Sequence, residues 1–201
     1  MLGLPAGTEI HKVITKKKVF EHFGAEMNAE RRKGFDADIA RITLMNEVSP
    51  ISLNIPAGET IRSFFVVLVA LRQKGFDKQN IAFLAKMFGQ KLLLVLEYEG
   101  QLALAVWQTR LILSPWSAPE ALRVELNGLD LDKAWENIVA GLAGVQVAQG
   151  TSLDEQLAQA QQREKLQKEI AKLEKMAWAE KQPKRKMEFA KKIEALKAKT
   201  L

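Results

Sequence analysis

The sequence contains no cysteine. That excludes a disulfide framework, a thiol nucleophile and any cysteine-ligated zinc or iron–sulfur centre. Histidine is almost as scarce: His11 and His22 are the only two, in a polar N-terminal stretch. A transition-metal site would need carboxylates to complete it, and two surface histidines are the simpler reading. No run approaches the roughly 18 uncharged apolar residues of a membrane-spanning helix. The longest apolar run, from Phe64 to Leu71, lies between Arg62 and Arg72. The start carries Glu9 and lacks both the apolar stretch and the small-residue cleavage site of a signal peptide. The expected setting is therefore the cytoplasm, with no membrane partner.

Catalytic motifs are missing too. Pro5-Ala6-Gly7-Thr8 and Pro56-Ala57-Gly58-Glu59-Thr60 have neither the spacing nor the Lys-Ser/Thr ending of a phosphate loop. No Gly-X-Ser-X-Gly elbow occurs. Carboxylates offer one test, because a divergent metal-dependent nuclease holds magnesium with acids on adjacent strands. Glu97 and Glu99 share a face at a strand end and Glu59 precedes another strand, but Gln101 to Trp107 adds no acid or lysine. A solvated hairpin tip explains these acids better. The expectation is thus no catalytic residue, no metal site and no cofactor.

What is present is a core. Apolar residues make up 47% of the 201 positions, enough to fold. The net charge of +6 is unevenly spread: residues 1–150 hold 17 Lys/Arg against 16 Asp/Glu, and residues 151–201 hold 13 against 8. The positive excess therefore sits at the C-terminal end, where it would attract polyanions or acidic protein surfaces.

Periodicity predicts the elements. Val19, Phe20 and Phe23 have helical spacing. Phe35, Ile39, Ile42 and Met45 recur at fours and threes, which predicts a helix from Asn28 to Asn46. Ile51 to Ile55 alternates as a short strand. Ile61 to Leu71, rich in Val, reads as a central strand covered on both faces. Asp77 caps a helix from Lys78 to Phe88. Lys91–Tyr98 and Gln101–Thr109 form a hairpin turning at Glu99-Gly100, with Arg110 to Leu113 as a short third strand. Val124 to Leu126 reads as extended. Asp130 or Asp132 caps a helix from Lys133 to Leu142.

From Ser152 the composition turns to Ala, Gln, Glu, Lys and Leu. A helix of about 28 residues, a break near Gln182-Pro183 and a second helix make an antiparallel hairpin. The fold class is α+β: a mixed α/β sheet domain over 1–148, then a basic α-helical hairpin or coiled-coil arm over 149–201.

The basic clusters are the functional lead. Lys184, Arg185 and Lys186 crowd the start of the last helix, with Lys191 and Lys192 following; Lys16, Lys17, Lys18 and Arg31, Arg32, Lys33 are further clusters. Cations at a helix N-terminus oppose the macrodipole, so the Lys184 cluster is a poor structural choice unless a polyanion offsets it. Few aromatics interleave with these charges, and Trp178 is expected to pack on Phe189 across the hairpin. Phosphate contact is thus favoured over base stacking. The apolar seam Leu166, Ile170, Leu173, Phe189, Ile193 and Leu196 offers a surface for a partner or for a second copy.

The segment order also resembles a known family. Leu2-Gly-Leu-Pro-Ala-Gly-Thr8, Lys16 to Phe20, Ile51-Ser-Leu-Asn-Ile55, the hairpin Leu92 to Val106, Leu126-Asn-Gly-Leu-Asp-Leu-Asp132 and Glu180-Lys-Gln-Pro-Lys-Arg-Lys-Met-Glu-Phe-Ala-Lys191 are similar to the bacterial and archaeal domain of unknown function 4391. The likeness covers nearly the whole chain. It departs from the family pattern at Trp107-Gln108, where a lysine is expected at the end of the second hairpin strand. The resemblance brings no established activity and no catalytic residues. Its members are often encoded beside helicases and DNA methyltransferases of the restriction or phage-defence kind. It therefore implies a non-enzymatic accessory subunit, with a helicase or DNA methyltransferase as partner, DNA as a contact and a homodimer through the arm as a further expectation. The alternatives are a stand-alone nucleic-acid-binding module and the divergent nuclease.

Overall fold

Strands β3 (Phe64–Leu71) and β4 (Lys91–Tyr98) are almost unbroken apolar runs. Such runs belong in the middle of a sheet with both faces covered. A computed structural model, describing residues 2–24, 27–146 and 150–198, places them there. The chain divides into two compact units, Met1–Gln146 and Val147–Leu201.

The first unit is built on a six-stranded mixed sheet in the order β1 (Glu9–Ile14), β2 (Ile39–Val48), β3, β4, β5 (Gln101–Trp107), β6 (Leu111–Leu113). Every neighbouring pair is antiparallel except β3 and β4, which run parallel with Val67 opposite Leu94. Helix α3 (Lys78–Lys86) makes that crossover, and the Asp77 side chain caps it by accepting the Gln79 N–H at 2.8 Å.

One face of the sheet, through Val67, Val69, Leu92, Leu94 and Leu96, packs with α1 (Lys16–Phe23), α2 (Ala29–Asp38) and α3. Phe35, Ile81 and Leu84 are fully buried there. The other face meets α4 (Leu131–Ala143), whose Trp135 ring lies 5.3 Å from that of Phe64. The β4–β5 turn gives positive φ to both Glu99 (47°) and Gly100 (75°), the signature of a type I′ hairpin.

Two expectations about the first unit are corrected. The helix from Asn28 ends at Asp38, and the chain continues as β2. Bulges in β2 between Ile39 and Arg41 and between Leu44 and Asn46 shift the register. The first bulge sets Ile39 and Ile42, three residues apart, against the same core, a spacing that imitates a helix. Ile51 to Ile55 is a turn, not a strand: Ser52 and Leu53 both donate backbone N–H bonds to the Ser49 carbonyl, and Ile51 is 99% exposed. Val124 to Leu126 lies outside the strands, with the Val124 N–H bonded to the Leu2 carbonyl at 3.0 Å.

In the second unit, α5 (Leu153–Ala179) begins with a reciprocal capping box between Ser152 and Glu155. Pro183 occupies the first turn of α6 (Pro183–Lys197), where its missing N–H costs nothing. The two helices pack on each other as a hairpin, and Lys197 reaches Glu174 at 2.8 Å. Leu173 and Phe189, and Leu166 and Leu196, lie at matching sequence separations from Lys181 in the turn, and Ile170 and Ile193 differ by one residue. Ile170 is buried and the other five are half-buried, so the seam is not the open stripe expected from sequence. Among the described residues, no helix is long and apolar enough to cross a membrane.

Candidate nucleic-acid interface

The basic clusters of the two units have different fates. In the first unit most of the cations are occupied. Lys16 pairs with Asp36 and also donates to the Asp36 carbonyl at 3.3 Å. The Lys16 hydrogen bond and charge, aided by Arg72, hold the Asp36 carboxyl below its ordinary range. Lys17 lies 3.7 Å from Glu21. Arg31 sits over the Phe83 ring at 5.3 Å, and Arg32 donates to the Gly24 carbonyl at 2.9 Å. Lys18 and Lys33 stay exposed. This cluster chiefly ties α1 and α2 to their neighbours.

The cluster on α6 is free. Lys184, Arg185, Lys186, Lys191 and Lys192 are all exposed. No acid lies in the first turn of α6, and Gln182 gives no side-chain cap. Glu180, just before the helix, accepts the Gln182 N–H at 3.0 Å. Residues 181–192 hold six cations against one acid, Glu188. Unsatisfied N–H groups, the positive end of the macrodipole and these side chains all favour an anion. Trp178 is 88% exposed and does not pack on Phe189, which corrects the expectation for that pair. Met187 is also largely exposed.

A second polar site was not foreseen. A cleft of about 570 Å³ lies beside Asp38, with Arg31, Gln73, Asp77, Gln79 and Asn80 among its walls. Asp38 is buried, and it accepts Gln73 Nε2 at 2.8 Å, the Asp77 N–H at 2.9 Å and Asn80 Nδ2 at 2.8 Å. Burial pushes its pKa up, and these three donors outweigh burial and lower it. With its oxygens so engaged, Asp38 is a clip joining the end of α2 to the start of α3.

Asp132 makes the matching clip on the other side. Asp130 is the cap of α4, accepting the Lys133 N–H at 2.8 Å, which leaves Asp132 for another role. It accepts the Thr60 N–H, the Thr60 hydroxyl and the Ile61 N–H at 3.0, 2.8 and 2.7 Å. A sequence signal existed: two acids compete for one capping position in Asp130-Leu-Asp132.

The nuclease acids do not gather. Glu97 accepts the Gly100 N–H at 3.4 Å within its own turn, and Glu99 raises the Tyr98 pKa by hydrogen bond and charge. Among the described residues no three His, Asp or Glu side chains form a group fit for a metal ion. His11 and His22 are both exposed; His11 lies 3.7 Å from Glu9.

No curated protein and no solved structure matches this chain. The family profile described as "Domain of unknown function (DUF4391)" matches residues 2–199, and the chain therefore belongs to that family.

Proposed function

We propose that this chain is a non-enzymatic accessory subunit whose basic hairpin contacts the phosphate backbone of nucleic acid. The observation that supports it is the free cluster Lys184-Arg185-Lys186 at an uncapped helix N-terminus. A helix serving only structure gains from acids there and loses from cations, by about 0.3–1 kcal/mol per charge. A polyanion reverses that loss. The sheet unit supplies shape and a docking surface, and the genomic company of the family points to a helicase or DNA methyltransferase of a restriction or phage-defence system as the partner.

The test is titration of the full chain with a mixed-sequence DNA duplex across a salt series. Affinity should fall steeply with salt, the log–log slope approaching about −5 if all six cations of 181–192 engage. Binding that is absent at low salt, or indifferent to salt, removes this reading. Capture of a helicase or methyltransferase from native cells by the whole chain, and its loss with the hairpin reversed in charge, tests the partner.

A further inference from the structure

We infer that the hairpin turn takes single-stranded nucleic acid, with an unpaired base stacked on the exposed indole of Trp178. This rests on the phosphate-binding reading above and names its substrate class.

The other three tryptophans are occupied. Trp107 lies under Lys86 Nζ at 3.6 Å, Trp116 under Lys74 at 5.7 Å, and Trp135 packs on Phe64. Trp178 is 88% exposed one residue from the end of α5, and among the described residues it has no ring or cation partner. A large aromatic left in water gives up the burial that normally justifies its presence.

A cation stands three residues to either side of it, with Glu174 and Glu180 also close in sequence. Lys175 precedes Trp178 by one helical turn on the same face, and Lys181 follows it in the turn before Pro183. On α6, Lys184, Met187 and Lys191 are spaced three and four apart and share one stripe, with Met187 66% exposed. Apolar groups set among cations match one kind of polyanion. A duplex offers phosphates and keeps its bases stacked inside. A single strand offers phosphates and free π-faces together, and sequence-tolerant stacking on aromatic side chains is how such strands are held. An acidic protein surface would satisfy the lysines and leave the indole without a flat partner.

The experiment compares labelled oligo(dT) with a duplex of equal length, using the full chain, Trp178→Ala, Trp178→Phe and the double variant Lys184→Glu/Arg185→Glu. Oligo(dT) should quench tryptophan fluorescence. Trp178→Ala should weaken oligo(dT) binding about 10- to 100-fold while leaving duplex binding within about twofold, and Trp178→Phe should keep most of the affinity. The charge reversal should weaken both ligands. Oligo(dT) binding that Trp178→Ala leaves intact overturns the stacking while phosphate binding survives. Failure of both ligands to bind removes both readings. A wild-type dimer that Trp178→Ala converts to monomer assigns the indole to a second copy and overturns the proposal.

Discussion

Asp132 holds Thr60 twice, taking both its backbone N–H at 3.0 Å and its hydroxyl at 2.8 Å. With the Ile61 N–H added, and the Leu131 N–H bonded to the Pro56 carbonyl at 3.1 Å, the first turn of α4 is sewn to the loop that feeds the central strand. Asp132→Ala leaves those donors without the carboxylate and should destabilise the first unit by about 1–3 kcal/mol, read as a lower urea midpoint with unchanged slope.

The same carboxylates set an acid limit. Burial raises the Asp132 pKa, but bonds from Thr60, Ile61 and Glu59 bring it below the ordinary value, as similar donors do for Asp38. A depressed folded-state pKa gives stability that is fully present above the unfolded value of about 3.9 and is lost as pH falls through the lower folded value. Urea melts should therefore be flat in this contribution above about pH 5 and weaken below about pH 4. Asp132→Asn and Asp38→Asn should each flatten that acid slope.

Gly58 has no room for a side chain, because a Cβ there would lie on the Asp132 carboxylate. Gly58→Ala should cost about 1–3 kcal/mol by displacing the clip. In an Asp132→Ala background the same change should cost far less. A double-mutant cycle measures the difference, and additive costs would show that the two residues do not share one site.

Charge reversal at the start of α6 should separate binding from stability. Lys184→Glu and Arg185→Glu place acids beside the positive end of the helix, which should raise helix stability by about 0.3–1 kcal/mol each. Far-UV thermal melts should shift up while nucleic-acid affinity falls. A downward shift would mean that these side chains have a structural partner.

Ile170 sits in the covered seam of the hairpin. Ile170→Ala should cost about 2–5 kcal/mol and loosen the arm, seen as lost helical signal and faster proteolysis near Lys181. A dimer held through this seam would instead melt at a temperature that depends on protein concentration.

Much of this architecture was legible in the chain. The β4–β5 hairpin announced itself through Glu99-Gly100 between apolar arms, and α5 and α6 through the composition change at Ser152 and the break at Pro183. Two strands were hidden for physical reasons. In β1 five of six residues are exposed, so no alternation marks it, and in β2 a bulge gave Ile39 and Ile42 a helical spacing. The exposure of Trp178 was equally invisible, since periodicity says which residues share a face and nothing about whether that face is covered. Asp38 went unnoticed because its value lies in donors from Gln73, Asp77 and Asn80, all distant in sequence.

The strand order bears on how the first unit assembles. Each strand lies beside its neighbour in sequence, so the sheet can be laid down like courses of brick, with no threading past earlier pieces. Loop-closure entropy is smallest for the tight β4–β5 turn, which makes that hairpin the natural seed. The α3 crossover makes the parallel join between β3 and β4, and the side chain of Asp77 starts the helix that spans it.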